Sequence, residues 1–127
     1  MQSMRPKRGW AVAAALALTI PAIAQSHTTI SPRQSTHGAT VKYTVRIPTE
    51  GDVATTGAEL DVPEGVIVES LQVPVSWEYD VERADDRIVS ITWRADIQPG
   101  EFLEVGFVAR NPRQGSEIVW ILRQNFA

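Results

Sequence analysis

From Val41 onward the chain repeats one pattern: apolar and polar side chains take turns with a period of two. Val41, Tyr43, Val45 and Ile47 alternate with Lys42, Thr44 and Arg46, and Ala58, Leu60 and Val62 with Gly57, Glu59 and Asp61. A period of two puts one set of side chains on each face of an extended chain, so these segments read as half-buried strands. Trp77, Tyr79 and Val81 make a third such run, Val89, Ile91 and Trp93 a fourth, and Leu103, Val105 and Phe107 a fifth. The spans 66–73 and 117–123 are apolar and β-branched without clean alternation and read as further strands. Turn-forming clusters separate them: Pro-Thr-Glu-Gly at 48–51, Pro-Glu-Gly at 63–65, Ala-Asp-Asp at 84–86, Gln-Pro-Gly at 98–100, Asn111-Pro112 and Gln114-Gly115. Seven or eight short strands with no helical periodicity predict an all-β domain, an immunoglobulin-like antiparallel sandwich.

The first residues follow a different rule. Arg5, Lys7 and Arg8 precede an apolar run from Trp10 to Ile20, then Pro21 and the small-residue site Ala22-Ile23-Ala24. This is the layout of a cleaved secretory signal, and the run is well short of the roughly 20 residues that span a bilayer. Cleavage after Ala24 would leave Gln25 first, and cleavage after Ser26 would leave His27 first. The mature chain is therefore expected outside the cytoplasm, periplasmic or extracellular, with no membrane span. One domain of about a hundred residues remains, without linker or repeat.

Charge and sulfur narrow its partners. Of 12 basic and 15 acidic side chains, the first 24 residues hold three basic ones and no acid, so the mature chain is acidic. That disfavours nucleic acid and anionic lipid as partners and suits a cation. With no Cys, stability rests on the core and no thiolate is available to a metal. Met1 and Met4 lie in the signal, so the mature chain offers no sulfur ligand, which favours Cu(II) over Cu(I).

Catalytic patterns are missing: there is no H-E-x-x-H, no phosphate-binding glycine loop and no defensible Ser/His/Asp spacing, and the reading is not an enzyme. His27 stands out by its distance from the cleavage site. As residue one, its α-amine and imidazole Nδ1 can chelate a single Cu(II), half of a histidine brace. Third from the amine in Gln25-Ser26-His27, it can instead close a square plane with the amine and two deprotonated amides.

Beyond these elements, His27-Thr28-Thr29-Ile30-Ser31-Pro32, "YTVRIPTEGDVATTGAELDVPEGV" (Tyr43 to Val66), "WEYDVER" (Trp77 to Arg83), "ITW" (Ile91 to Trp93), "IQPGEFLEVGFVARNP" (Ile97 to Pro112) and Val119-Trp120, in that order, resemble the YcnI-like family of exported copper-binding domains. The likeness spans His27 to Ala127. It implies an immunoglobulin-like sandwich whose mature N-terminal His binds Cu(II) through amine and imidazole, a single-histidine brace, with a carboxylate as third ligand. Carried over, the metal ligands are His27 and Glu50 of "RIPTE". The resemblance also implies copper transfer or storage, beside other copper-handling membrane or periplasmic proteins. The family pattern runs on past the Val-Trp strand into a turn and a last strand bearing a Trp against the metal. This sequence reaches Gln124-Asn125-Phe126-Ala127 where that turn would begin, so it resembles a C-terminally truncated member with an unpaired sheet edge.

Other features are assigned ordinary roles. His37 falls in a turn before Val41, Asp85-Asp86 reads as a hairpin turn without the spaced oxygens of a calcium loop, and Trp77 and Trp93 fall on the apolar phase as core residues. The alternative reading is a sandwich module for protein interaction or adhesion with an incidental terminal His. A two-histidine copper oxygenase would need a second imidazole, and His37 is the one the sequence offers.

Overall fold

The computed structural model describes residues 27–127; the expected signal segment, 1–24 or 1–26, lies outside them. Eight strands form: β1 (Thr29–Ser31), β2 (Thr40–Pro48), β3 (Thr55–Asp61), β4 (Ile67–Leu71), β5 (Glu78–Ala84), β6 (Arg87–Ile97), β7 (Phe102–Arg110) and β8 (Ile121–Phe126). They build two four-stranded antiparallel sheets, ordered β1-β2-β7-β4 and β5-β6-β3-β8. The all-β sandwich expected from the alternation is the fold observed.

Its core is the apolar phase of the alternating runs. Tyr43, Val45, Ile47, Val105, Phe107 and Ala109 from one sheet meet Ala58, Leu60, Ile91, Trp93 and Ile97 from the other, all buried. Each large side chain removed from water contributes roughly 1.5–3 kcal/mol. The tight β5–β6 hairpin turns on Asp85 and Asp86, at φ 51° and 65°, the mirror-type turn that acidic residues tolerate.

Three details differ from expectation. Trp77 precedes β5 and is half-buried rather than fully internal, and Tyr79, in register with Trp93, remains 36% exposed. β5 is an edge strand, so its inward side chains are not capped by a strand on its outer side. The strand foreseen at 117–123 is instead Ile121–Phe126. Its partner decides this: Ile121 pairs with Asp61, the last residue of β3, after which Val62 turns to bond Val89. Residues before Ile121 therefore have no ladder to join, and the strand continues through Phe126 rather than giving way to a turn at Gln124.

One polar cluster pins the long β1–β2 connection. The Tyr43 hydroxyl donates to Asn111 Oδ1, and Asn111 Nδ2 donates to Ser35 Oγ (2.9 Å) and the Thr36 carbonyl (2.8 Å). Asn111 is 5% exposed, so its amide depends on these partners. Replacing Tyr43 by Phe is expected to cost about 1–2 kcal/mol in denaturant unfolding, because it leaves the buried Asn111 oxygen without that donor.

Candidate functional site

The strand register decides whether His27 and Glu50 can meet. β1 pairs with β2 as Thr29↔Arg46, Ile30↔Val45 and Ser31↔Thr44. Continued by two residues, that register sets His27 level with Pro48, where β2 ends. Glu50 follows two residues later in a tight turn closed by the Val53 amide on the Glu50 carbonyl. Both side chains are exposed and reach the same end of the sandwich.

Four segments are fastened together there. Thr28 Oγ1 donates to Gln124 Oε1 (3.2 Å), while Gln124 Nε2 donates to the Pro48 carbonyl and to Thr55 Oγ1 (2.9 Å). One amide thus ties the residue after His27 to the end of β2, the start of β3 and β8. The Glu50 turn is braced from the other side: Thr49 Oγ1 donates to the Glu101 carbonyl and accepts from the Gly100 amide. Glu50, Asp52, Asp96 and Glu101, all exposed, lie in the turns and strand ends on this side of the sandwich, and acids there favour cations over anions.

Gln124 was not foreseen as a positioning residue. Its signal was a polar side chain on the inward phase set by Trp120 and Leu122, and the inward position makes its amide choose partners within the protein.

His37 belongs elsewhere. It lies exposed in the turn before β2, and its Nε2 sits 2.5 Å from the Gly115 carbonyl. His27 is level with the opposite end of β2, roughly 25 Å away at the rise of an extended strand. The two imidazoles are not brought together, so a two-histidine oxygenase centre is not assembled from them. Between the two ends runs a groove of about 660 Å³, lined by Thr28, Ile30, His37 and Trp120 among others. Tyr43 and Trp120 line it and pack edge-on, centroids 5.2 Å apart, and Trp120 also packs edge-on against the buried Phe107 at 5.5 Å.

Among the described residues no three side chains of His, Cys, Asp or Glu converge as a ready metal cage. A metal at the His27 end would draw on one imidazole, one carboxylate and a backbone or terminal nitrogen, a donor set suited to Cu(II). No helix among the described residues is long and apolar enough to cross a membrane.

Comparison with known proteins adds three findings. Residues 27–127 match the family model described as a domain of unknown function, DUF1775. The copper-binding protein CutI of Bacillus subtilis (strain 168) is 34% identical over 106 residues, which are 81% of this chain and 52% of CutI. This chain therefore spans about half the length of that curated relative. A solved structure of an uncharacterized protein from Nocardia farcinica, with an immunoglobulin-like fold, superposes with a TM-score of 0.67 at 28% identity, over 80% of this chain and 78% of that one.

Proposed function

Since the chain belongs to the YcnI-like DUF1775 family, we propose that it is an exported copper-binding protein that holds Cu(II) at the end of the sandwich where His27 and Glu50 lie. The observation that supports this reading is the shared end: continued by two residues, the β1–β2 register sets His27 level with Pro48, two residues before Glu50. With the signal removed after Ser26, His27 supplies an α-amine and an imidazole nitrogen to one ion, and Glu50 adds a carboxylate oxygen. Anchoring of Thr28 by Gln124 holds the chain next to His27, so less conformational entropy is lost when the metal arrives.

Such a site is exposed and uses no sulfur, since residues 27–127 contain neither Cys nor Met. Those properties suit transfer or storage of Cu(II) in the periplasm or outside the cell, in exchange with other copper-handling proteins, rather than catalysis. The test is calorimetric titration of the mature protein with Cu(II). One equivalent should bind, and Glu50→Gln should weaken binding about tenfold, or ~1.4 kcal/mol, by removing one charged donor. An interaction or adhesion module predicts no stoichiometric uptake and no effect of Glu50→Gln.

A further inference from the structure

The ladder between β2 and β7 ends at Pro48↔Phe102, and Glu50 lies two residues beyond it. On its far side Glu50 is held by the turn in which the Val53 amide donates to the Glu50 carbonyl (3.3 Å). Between ladder and turn stands one residue, the half-buried Thr49. Its hydroxyl accepts from the Gly100 amide (3.1 Å) and donates to the Glu101 carbonyl (3.2 Å). A β-branched side chain has few χ1 positions, and two bonds of opposite sense to one turn select among them.

The turn that Thr49 grips is itself closed three times. The Glu101 amide donates to the Gln98 carbonyl (2.9 Å), the Gln98 amide donates to Glu101 Oε1 (2.8 Å), and Gln98 Nε2 donates to Asp96 Oδ1 (2.6 Å). Two of the four acids on this side of the sandwich are therefore committed to building the β6–β7 turn. Glu50 is exposed, and its backbone is what that turn locates through Thr49.

We propose that Thr49 is a positioning residue for the Glu50 carboxylate, raising Cu(II) affinity by fixing the backbone from which Glu50 projects; the inference rests on the copper reading above. Binding an ion costs a long glutamate side chain its rotamer freedom, and a backbone already tethered has less further freedom to lose. The Thr49 hydroxyl spends its proton and a lone pair within the protein, so it acts on the metal only through Glu50. Its effect is thereby bounded by that of the carboxylate itself. Both of its hydrogen bonds are exposed, and water can serve their backbone ends when the hydroxyl is removed, so Thr49→Val is expected to fold.

Calorimetric titration with Cu(II) of the unaltered protein, Thr49→Val, Glu50→Gln and the double variant tests this. Thr49→Val is expected to weaken binding roughly threefold to fivefold, within the roughly tenfold of Glu50→Gln, and to add nothing in the Glu50→Gln background. Thr49→Ser keeps the hydroxyl and should bind as the unaltered protein does. Thr49→Ala supplies the same comparison should Thr49→Val fold poorly. A Glu50→Gln variant that binds as tightly as the unaltered protein would overturn the copper reading at Glu50, and this inference with it. If Glu50→Gln weakens binding, the role of Thr49 alone is overturned by any of three results: no effect of Thr49→Val, an equal effect in both backgrounds, or no rescue by Thr49→Ser.

Discussion

Replacing Gly57 by alanine is expected to destabilise the fold by about 3 kcal/mol, among the larger effects open to a single methyl group. Gly57 sits where the β3 pairings with β6 and β8 both shift register, after Thr55. A Cβ built there would lie 2.2 Å from the Trp93 carbonyl oxygen and 3.3 Å from its carbon. These are backbone atoms of the central strand β6, hydrogen-bonded on both sides and attached to a tryptophan that is 1% exposed. They cannot step aside as a flexible side chain would, so the sheet must deform locally. Gly51 is the natural control: its φ is 58° but nothing lies within 4 Å of its Cβ position. Gly51→Ala should cost only the left-handed backbone penalty, about 1 kcal/mol. Denaturant unfolding of the two variants separates close contact from backbone preference; equal losses would show that the Trp93 approach is not limiting.

The second large effect is on copper. His27→Ala should weaken Cu(II) binding at least about hundredfold, or ~2.7 kcal/mol, while leaving the unfolding transition unchanged. The side chain is exposed and precedes β1, so its removal takes nothing from the core. What it removes is the imidazole half of the chelate, and the amine alone is a poor competitor against protons and water. Adding one residue ahead of His27 is the complementary change: the imidazole stays, but the amine moves to another residue. Both changes should weaken binding in the brace account. If only His27→Ala mattered, the amine would not be a ligand.

Much of the fold was legible because the core is made by alternation. Tyr43, Val45 and Ile47, Leu60, Ile91 and Trp93, and Val105 and Phe107 are inward in the sequence pattern and buried in the structure. What pattern could not supply was the length of each partner strand. β8 begins at Ile121 because β3 ends at Asp61, a constraint set some 60 residues earlier in the chain, and Trp77 is only half-buried because it leads into an edge strand. Of the candidate site, the antiparallel first hairpin that sets His27 level with the end of β2 was readable from the alternation. Gln124 was not, because its role depends on Thr28, Pro48 and Thr55 arriving together from three distant segments. The copper chemistry itself entered through the likeness to a family, since one imidazole and one exposed acid are common on protein surfaces.

The protein's intact mass, measured under native conditions with and without one equivalent of Cu(II), tests the central claim most directly. The brace account predicts a chain that begins at His27 and gains the mass of one copper, a gain lost in His27→Ala. A chain that begins at His27 and takes up no copper would contradict it.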